Sequence, residues 1–157
     1  MANIILVDDN TALLVPVMGL LKAHGHEVTT FPSAEDAVAQ LSSLTADVIV
    51  TDLSMEPLTG LDLLRAVMEH DATIPVILLT AYATLQTALE AKREGAFDFL
   101  TKPFQITQLV ASINLGLKWQ EQKRAGAQVS DAMRGQNLNE YVHSQIPSIP
   151  KAPKPGA

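Results

Sequence analysis

Apolar positions along the chain follow two periods in turn. Short, nearly continuous runs read as strands buried on both faces: "NIILV" (residues 3–7), "VIVT" (48–51) and "VILLT" (76–80). "EVTTF" (27–31) is more polar and suits a strand nearer an edge, and "DFL" (98–100) is a short fifth strand. Helical spacing fills the gaps. It runs from Thr11 to about His24, with Gly25 just past the helix end, where a left-handed residue closes a helix. Pro16 lies beyond the first turn of that stretch, so it kinks the helix or shortens its first segment. Ser33 can cap the second helix with Asp36 as its box partner, and Thr59 can cap a third from Gly60 to about Glu69. A fourth runs from about Leu85 to Glu94 and stops at Gly95. A long fifth begins near Gln105, with Ile106, Leu109, Val110, Ile113 and Leu117 as its core stripe.

Regular alternation of strand and helix predicts an α/β fold with a parallel sheet covered on both faces. With right-handed crossovers, the expected arrangement is five strands in the flavodoxin-like order 2-1-3-4-5. The pattern weakens after Lys123. Residues 1–120 therefore read as one domain, and 121–157 as a helix extension with a Pro- and Lys-rich flexible tail. A short helix near Val129 to Val142 is expected, and the run "SQIPSIPKAPKPGA" should be extended and mobile. Residues 125–157 hold too few apolar side chains to join the core. Leu115 and Trp119 form an apolar pair off the core stripe and are expected to mark a partner surface on the fifth helix.

Composition narrows the function. The 157 residues include no cysteine, which excludes disulfides and thiolate metal sites, and 47 % are hydrophobic, enough for a real core. The N-terminal apolar run is too short for a signal peptide or membrane span, so a cytoplasmic location is the expectation. Residues 1–117 carry 5 basic and 14 acidic side chains, whereas residues 118–157 carry 6 basic and 3 acidic. So acidic a body has no electrostatic footprint for DNA, but it can accommodate a divalent cation. The histidines (His24, His26, His70 and His143) lack metal-like spacing and read as surface or helix-end residues.

The chemistry gathers at strand ends. Asp8 and Asp9 follow the first strand directly. Two carboxylates roughly 5 Å apart repel by about 3 kcal/mol at an effective dielectric of 20. Capping of the next helix accounts for such a pair as readily as metal binding does. Asp52 ends the third strand, which is the first strand's neighbour in the proposed order, so three carboxylates converge on the crevice where such sheets bind ligands. Oxygen ligands of this kind suit Mg²⁺. Thr80 ends the fourth strand and Lys102 follows the fifth, adding a hydroxyl and an ammonium. The set suits phosphoryl transfer to an Asp nucleophile, with the cations neutralising phosphoryl oxygens.

These residues resemble the receiver domains of two-component response regulators, over about residues 1–120. The resemblance runs through "DD" after strand 1, Asp52, Thr80-Ala81 and "KPF" after strand 5. It implies that Asp52 accepts a phosphoryl group from a sensor histidine kinase or phosphotransfer protein. It implies Mg²⁺ on Asp9, Asp52 and the Ser54 carbonyl, with Asp8 acting through water. Thr80, Lys102 and the N–H groups of Ser54 and Ala81 would bind phosphoryl oxygens, and the Lys102–Pro103 bond would be cis. The implied switch is Thr80 with Phe99, read out on the fourth helix, fifth strand and fifth helix as partner binding or a phosphorylation-dependent homodimer. Ser54 and Tyr82 flank the approach of the hydrolytic water and would tune the lifetime of the phosphoryl group, with Tyr82 covering it. The loop after Asp52 departs from the usual Met-Pro, because Met55 is followed by Glu56 and then Pro57, while Gly60 keeps its place.

Three classes follow. The first is a single-domain regulator acting by protein contact, a phosphoacceptor switch rather than a metabolic enzyme. The second is the receiver portion of a larger transcription activator. No helix-turn-helix pattern follows residue 120, so DNA binding by this chain is not expected. The third is a haloacid-dehalogenase-like phosphatase, which ranks low. That class expects an Asp two residues beyond the nucleophile, and Asn10, Thr11 and Ser54 occupy those positions.

Overall fold

The doubly buried runs dictate the centre of the sheet. In the computed structural model, which describes residues 2–126 and 131–145, five parallel strands lie in the order β2-β1-β3-β4-β5. They are β1 (Asn3–Val7), β2 (Glu27–Phe31), β3 (Val48–Asp52), β4 (Val76–Thr80) and β5 (Asp98–Thr101). Every residue of β3 and β4 is buried, and the polar β2 lies at one edge as its composition requires. The helices are α1 (Val15–Ala23), α2 (Ala34–Gln40), α3 (Gly60–His70), α4 (Leu85–Arg93), α5 (Ile106–Arg124) and α6 (Gln136–Gln145). Alternate side chains of each strand face opposite layers. Ile5, Val7, Ile49, Val76, Leu78 and Phe99 pack with α2, α3 and α4. Ile4, Leu6, Val48, Val50, Ile77 and Leu79 pack with α1 and α5.

Capping follows the sequence. The Ser33 hydroxyl accepts the Asp36 N–H at 3.2 Å, and Thr59 forms a reciprocal box with Asp62. Gly25 closes α1 at φ +86°. The first helix differs from a single run: Thr11–Leu14 is a 3-10 turn, and the α-helix begins at Val15 with Pro16 in its first turn. Proline has no N–H to donate and is tolerated there, so the α-helical ladder starts at the first position that can hold it.

Two expectations for the C-terminal part fail. Trp119 is buried at 3 % exposure, its ring 5.7 Å from that of Phe97, and Leu115 packs against the same layer, so neither offers a free partner surface. The reason is that the chain after α5 returns to the body. The Arg134 guanidinium lies 5.0 Å from the Trp119 ring centre. Nor do the residues after 125 all stay outside the core. Within the expected helical stretch, α6 places Leu138 in the α2–α4 layer, with Tyr141 and Val142 packed against it. The last apolar positions are sparse, but at spacings of three and four they share one face, and an edge strand supplies the surface they need. The expected extended tail at residues 146–157, like residues 127–130, lies outside the described residues.

Candidate functional site

Parallel register brings the acids together. Val7 pairs with Thr51, so the next step along each strand sets Asp8 beside Asp52. The apolar strand draws Asp8 inward to 1 % exposure, whereas Asp9 is exposed. The Asn10 N–H donates to Asp8 Oδ1 at 2.9 Å and ties the turn. Burial raises the Asp8 carboxyl above its ordinary pKa, opposed by the Asn10 hydrogen bond and by the Lys102 charge. One carboxylate oxygen from each of Asp8, Asp9 and Asp52 lies within 4.8 Å of the others. At that spacing each pair of charges repels by about 3.5 kcal/mol at an effective dielectric of 20.

Lys102 offsets part of this. Its Nζ sits 3.2 Å from Asp8 Oδ2 and 3.6 Å from Asp52 Oδ2. Three carboxylates against one ammonium leave a surplus of two negative charges, and an all-oxygen donor set is what a hard divalent cation prefers. Asp8, Asp9 and Asp52 are therefore the side chains able to hold Mg²⁺.

The surrounding groups also sit at strand ends. Asp52 is 7 % exposed and its Oδ1 accepts the Ser54 N–H at 3.3 Å. Thr80 is fully buried, and its Oγ1 accepts the Tyr82 N–H at 3.0 Å. The Lys102 N–H donates to the Thr80 carbonyl at 2.7 Å, which joins the ends of β4 and β5. Both the Lys102–Pro103 and Glu56–Pro57 bonds are cis. Ser54 and Ala81 are exposed beside the acids. Tyr82 differs from expectation: its side chain is 78 % exposed, so it does not cover Asp52. A polar ring gains little by lying over an acidic pocket that it does not seal, and its backbone N–H is already used by Thr80. Phe99 is 1 % exposed, with the Tyr141 ring 5.7 Å away.

Two elements of the neighbourhood escape a reading by motif. Gly60 opens α3 directly against the acceptor strand: an added Cβ would run into the Asp52 carbonyl oxygen and come within 2.9 Å of Leu53 Cα. Asp98, adjacent to Phe99, is 2 % exposed and hydrogen-bonded to α5 and α6. Its only signal in the sequence is an acid inside an otherwise apolar strand.

The sequence model for the response regulator receiver domain matches residues 4–114. The DNA-binding transcriptional regulator NtrC of Salmonella typhimurium is 35 % identical over 119 residues, covering 75 % of this chain and 25 % of that protein. The chain thus spans about a quarter of the length of that regulator. Among solved structures, a receiver domain protein from Clostridium thermocellum superposes with a TM-score of 0.71 at 32 % identity, covering 77 % of this chain and 98 % of that one. The beryllofluoride-activated NtrC4 receiver domain dimer superposes at 0.72 with 25 % identity, covering 76 % and 99 %. Fold, strand-end chemistry and sequence agree, and the chain belongs to the response regulator receiver domain family.

Proposed function

We propose that Asp52 is the phosphoacceptor of a signalling switch. The observation that carries this is the Asp52 carboxylate itself, held between the Ser54 N–H at 3.3 Å and Lys102 Nζ at 3.6 Å, at the end of a wholly buried strand. An Asp52 oxygen attacks phosphorus of a phosphohistidine on a sensor kinase or phosphotransfer protein. The new O–P bond forms as the P–N bond breaks, and the imidazole leaves with that electron pair. Mg²⁺ on Asp9, Asp52 and the Ser54 carbonyl, with Asp8 behind water, would neutralise phosphoryl charge. Lys102 and the N–H groups of Ser54 and Ala81 supply the remaining donors. The 3-10 turn and α1 flank the pocket with exposed Leu13 and Val15, and α5 adds Ile106, an apolar rim suited to the donor protein.

Phosphorylation then draws the Thr80 hydroxyl toward the new charge, and Phe99 turns into the space it leaves. The readout is a changed α4–β5–α5 surface that binds a partner or a second copy. The dimeric state of the NtrC4 receiver supports the latter. Ser54 is too short to position an attacking water well, so the aspartyl phosphate persists for minutes to hours. The shared quarter-length with NtrC supports a second reading, in which the chain is the receiver portion of a transcription activator. Incubation with acetyl phosphate and Mg²⁺ tests the acceptor. Asp52→Asn keeps the fold and abolishes acid-labile phosphorylation, and full phosphorylation of that variant at another residue would refute the assignment.

A further inference from the structure

Asp98 is the buried acid outside the strand-end pocket among the described residues, and it makes no ion pair with any of them. A buried carboxylate persists only if its oxygens are hydrogen-bonded. Four donors meet this one. The N–H groups of Phe99 and Leu138 reach Oδ1, each at 2.9 Å. The Ser112 hydroxyl and the Asn137 side-chain amide reach Oδ2 at 2.8 and 2.7 Å. Two of the four belong to α6. Leu138 is the third residue of that helix, so its N–H has no acceptor within the helix. Asp98 caps α6 from 40 residues away in the chain, with its charge at the positive end of the helix dipole.

Apolar contacts surround this anchor. Leu138 is 1 % exposed, and Tyr141 lies against Phe99. The Gly135 N–H donates to the Phe97 carbonyl at 2.7 Å. Yet α6 has 10 residues, too few to be a stable helix alone in water. Its helicity therefore depends on its seat.

We propose that the α4–β5–α5 face is a receptor for the N-terminus of a short amphipathic helix, that Asp98 is its recognition residue, and that α6 is its resident occupant, released when Asp52 is phosphorylated. The release clause rests on the receiver switch proposed above. Phe99 adjoins Asp98 in sequence and touches Tyr141 in space, so a turn of its ring removes the aromatic floor beneath α6. The face then accepts a helix of another molecule with the same elements: a side-chain amide at its second position, an apolar residue at its third, and an aromatic three residues on.

Amide hydrogen exchange on the full chain tests release, with Asp52 occupancy measured by mass on the same sample. Amides of residues 139–145 should exchange slowly without phosphodonor and roughly tenfold faster or more with excess acetyl phosphate and Mg²⁺, while β1 and β3 stay unchanged. Unchanged protection on a fully phosphorylated chain overturns release. The receptor is tested without phosphate. A labelled peptide of residues 131–145 should bind a chain whose own α6 is disabled by L138D and Y141A, and Asp98→Asn should weaken that binding roughly tenfold. If the disabled chain does not fold, Asp98→Asn alone in the otherwise native chain should speed exchange across α6. A peptide that fails to bind the folded disabled chain, or binds regardless of Asp98, overturns the receptor, as does unchanged α6 exchange in the single variant. If Asp52 takes no phosphate, the switch reading falls, and the peptide arm still judges the receptor.

Discussion

Replacing Gly60 with alanine tests how closely α3 is seated on the acceptor strand. The new Cβ would collide with the Asp52 carbonyl oxygen and stand 2.9 Å from Leu53 Cα and 3.0 Å from the Asp52 carbonyl carbon. Unstrained carbon pairs sit at about 3.5–4.0 Å. All three atoms are backbone, so no rotamer relieves the overlap. Overpacking costs about 1–3 kcal/mol, and this rigid case belongs at the upper end. Alanine returns about 1 kcal/mol through helix propensity and a less disordered unfolded chain. The net loss is about 2 kcal/mol, or roughly 4–8 °C in Tm for a domain of this size. Urea unfolding measures it, with two controls. Gly19→Ala, inside α1 with nothing within 4 Å of the new Cβ, should stabilise by about 0.5–1 kcal/mol. Gly25→Ala, also in open space but at φ +86°, should lose about 1–2 kcal/mol from backbone strain alone. The Gly60 variant should also slow phosphorylation, since the overlap displaces the Asp52 backbone. Stability of Gly60→Ala equal to or above that of the parent would refute the close seating.

Mg²⁺ should raise the melting temperature, with about 2.7 kcal/mol of stabilisation at a hundredfold excess over Kd, and Asp9→Ala should lose most of it; no shift in calorimetry with the parent would contradict a cation site. Asp62 lies below the usual carboxyl range, chiefly because the Thr59 N–H donates to it, so its ionised form favours the fold. That contribution is complete above the unfolded value of about 3.9 and is lost as pH falls through the lower folded value, so the deficit of Asp62→Asn at neutral pH should close in acid. Trp119→Ala should cost about 3–5 kcal/mol in denaturant titration while leaving the sedimentation coefficient of the folded protein unchanged, because the ring fills the core rather than a partner.

Legibility in the sequence tracks how local each determinant is. Doubly buried runs such as "VILLT" declare a central strand by themselves, and Thr59 with Asp62 declares a helix start within four residues. The acids could be placed together because strand order puts the ends of β1 and β3 side by side. What stayed hidden depends on surfaces that exist only after folding. Trp119 looks like a free aromatic until Phe97 and Arg134 close on its two faces. Leu138 and Tyr141 are too few to predict a core helix, yet the edge beside β5 gives them one. The Tyr82 side chain follows neither rule. Its backbone is fixed by Thr80, but nothing along the chain specifies which way the ring leaves it.

The two packing layers insulate the molecule electrically and mechanically, like the two sides of a circuit board. The apolar rim at Leu13, Val15 and Ile106 belongs to elements on the Ile4–Leu6 side, whereas α6 and Tyr141 rest on the Ile5–Val7 side. A continuous sheet separates them, and only the strand-end pocket opens to both. Changes that retune which donor docks can therefore accumulate on one side without disturbing what the other side binds. Such a protein can be rewired to a new input, or to a new output, one layer at a time.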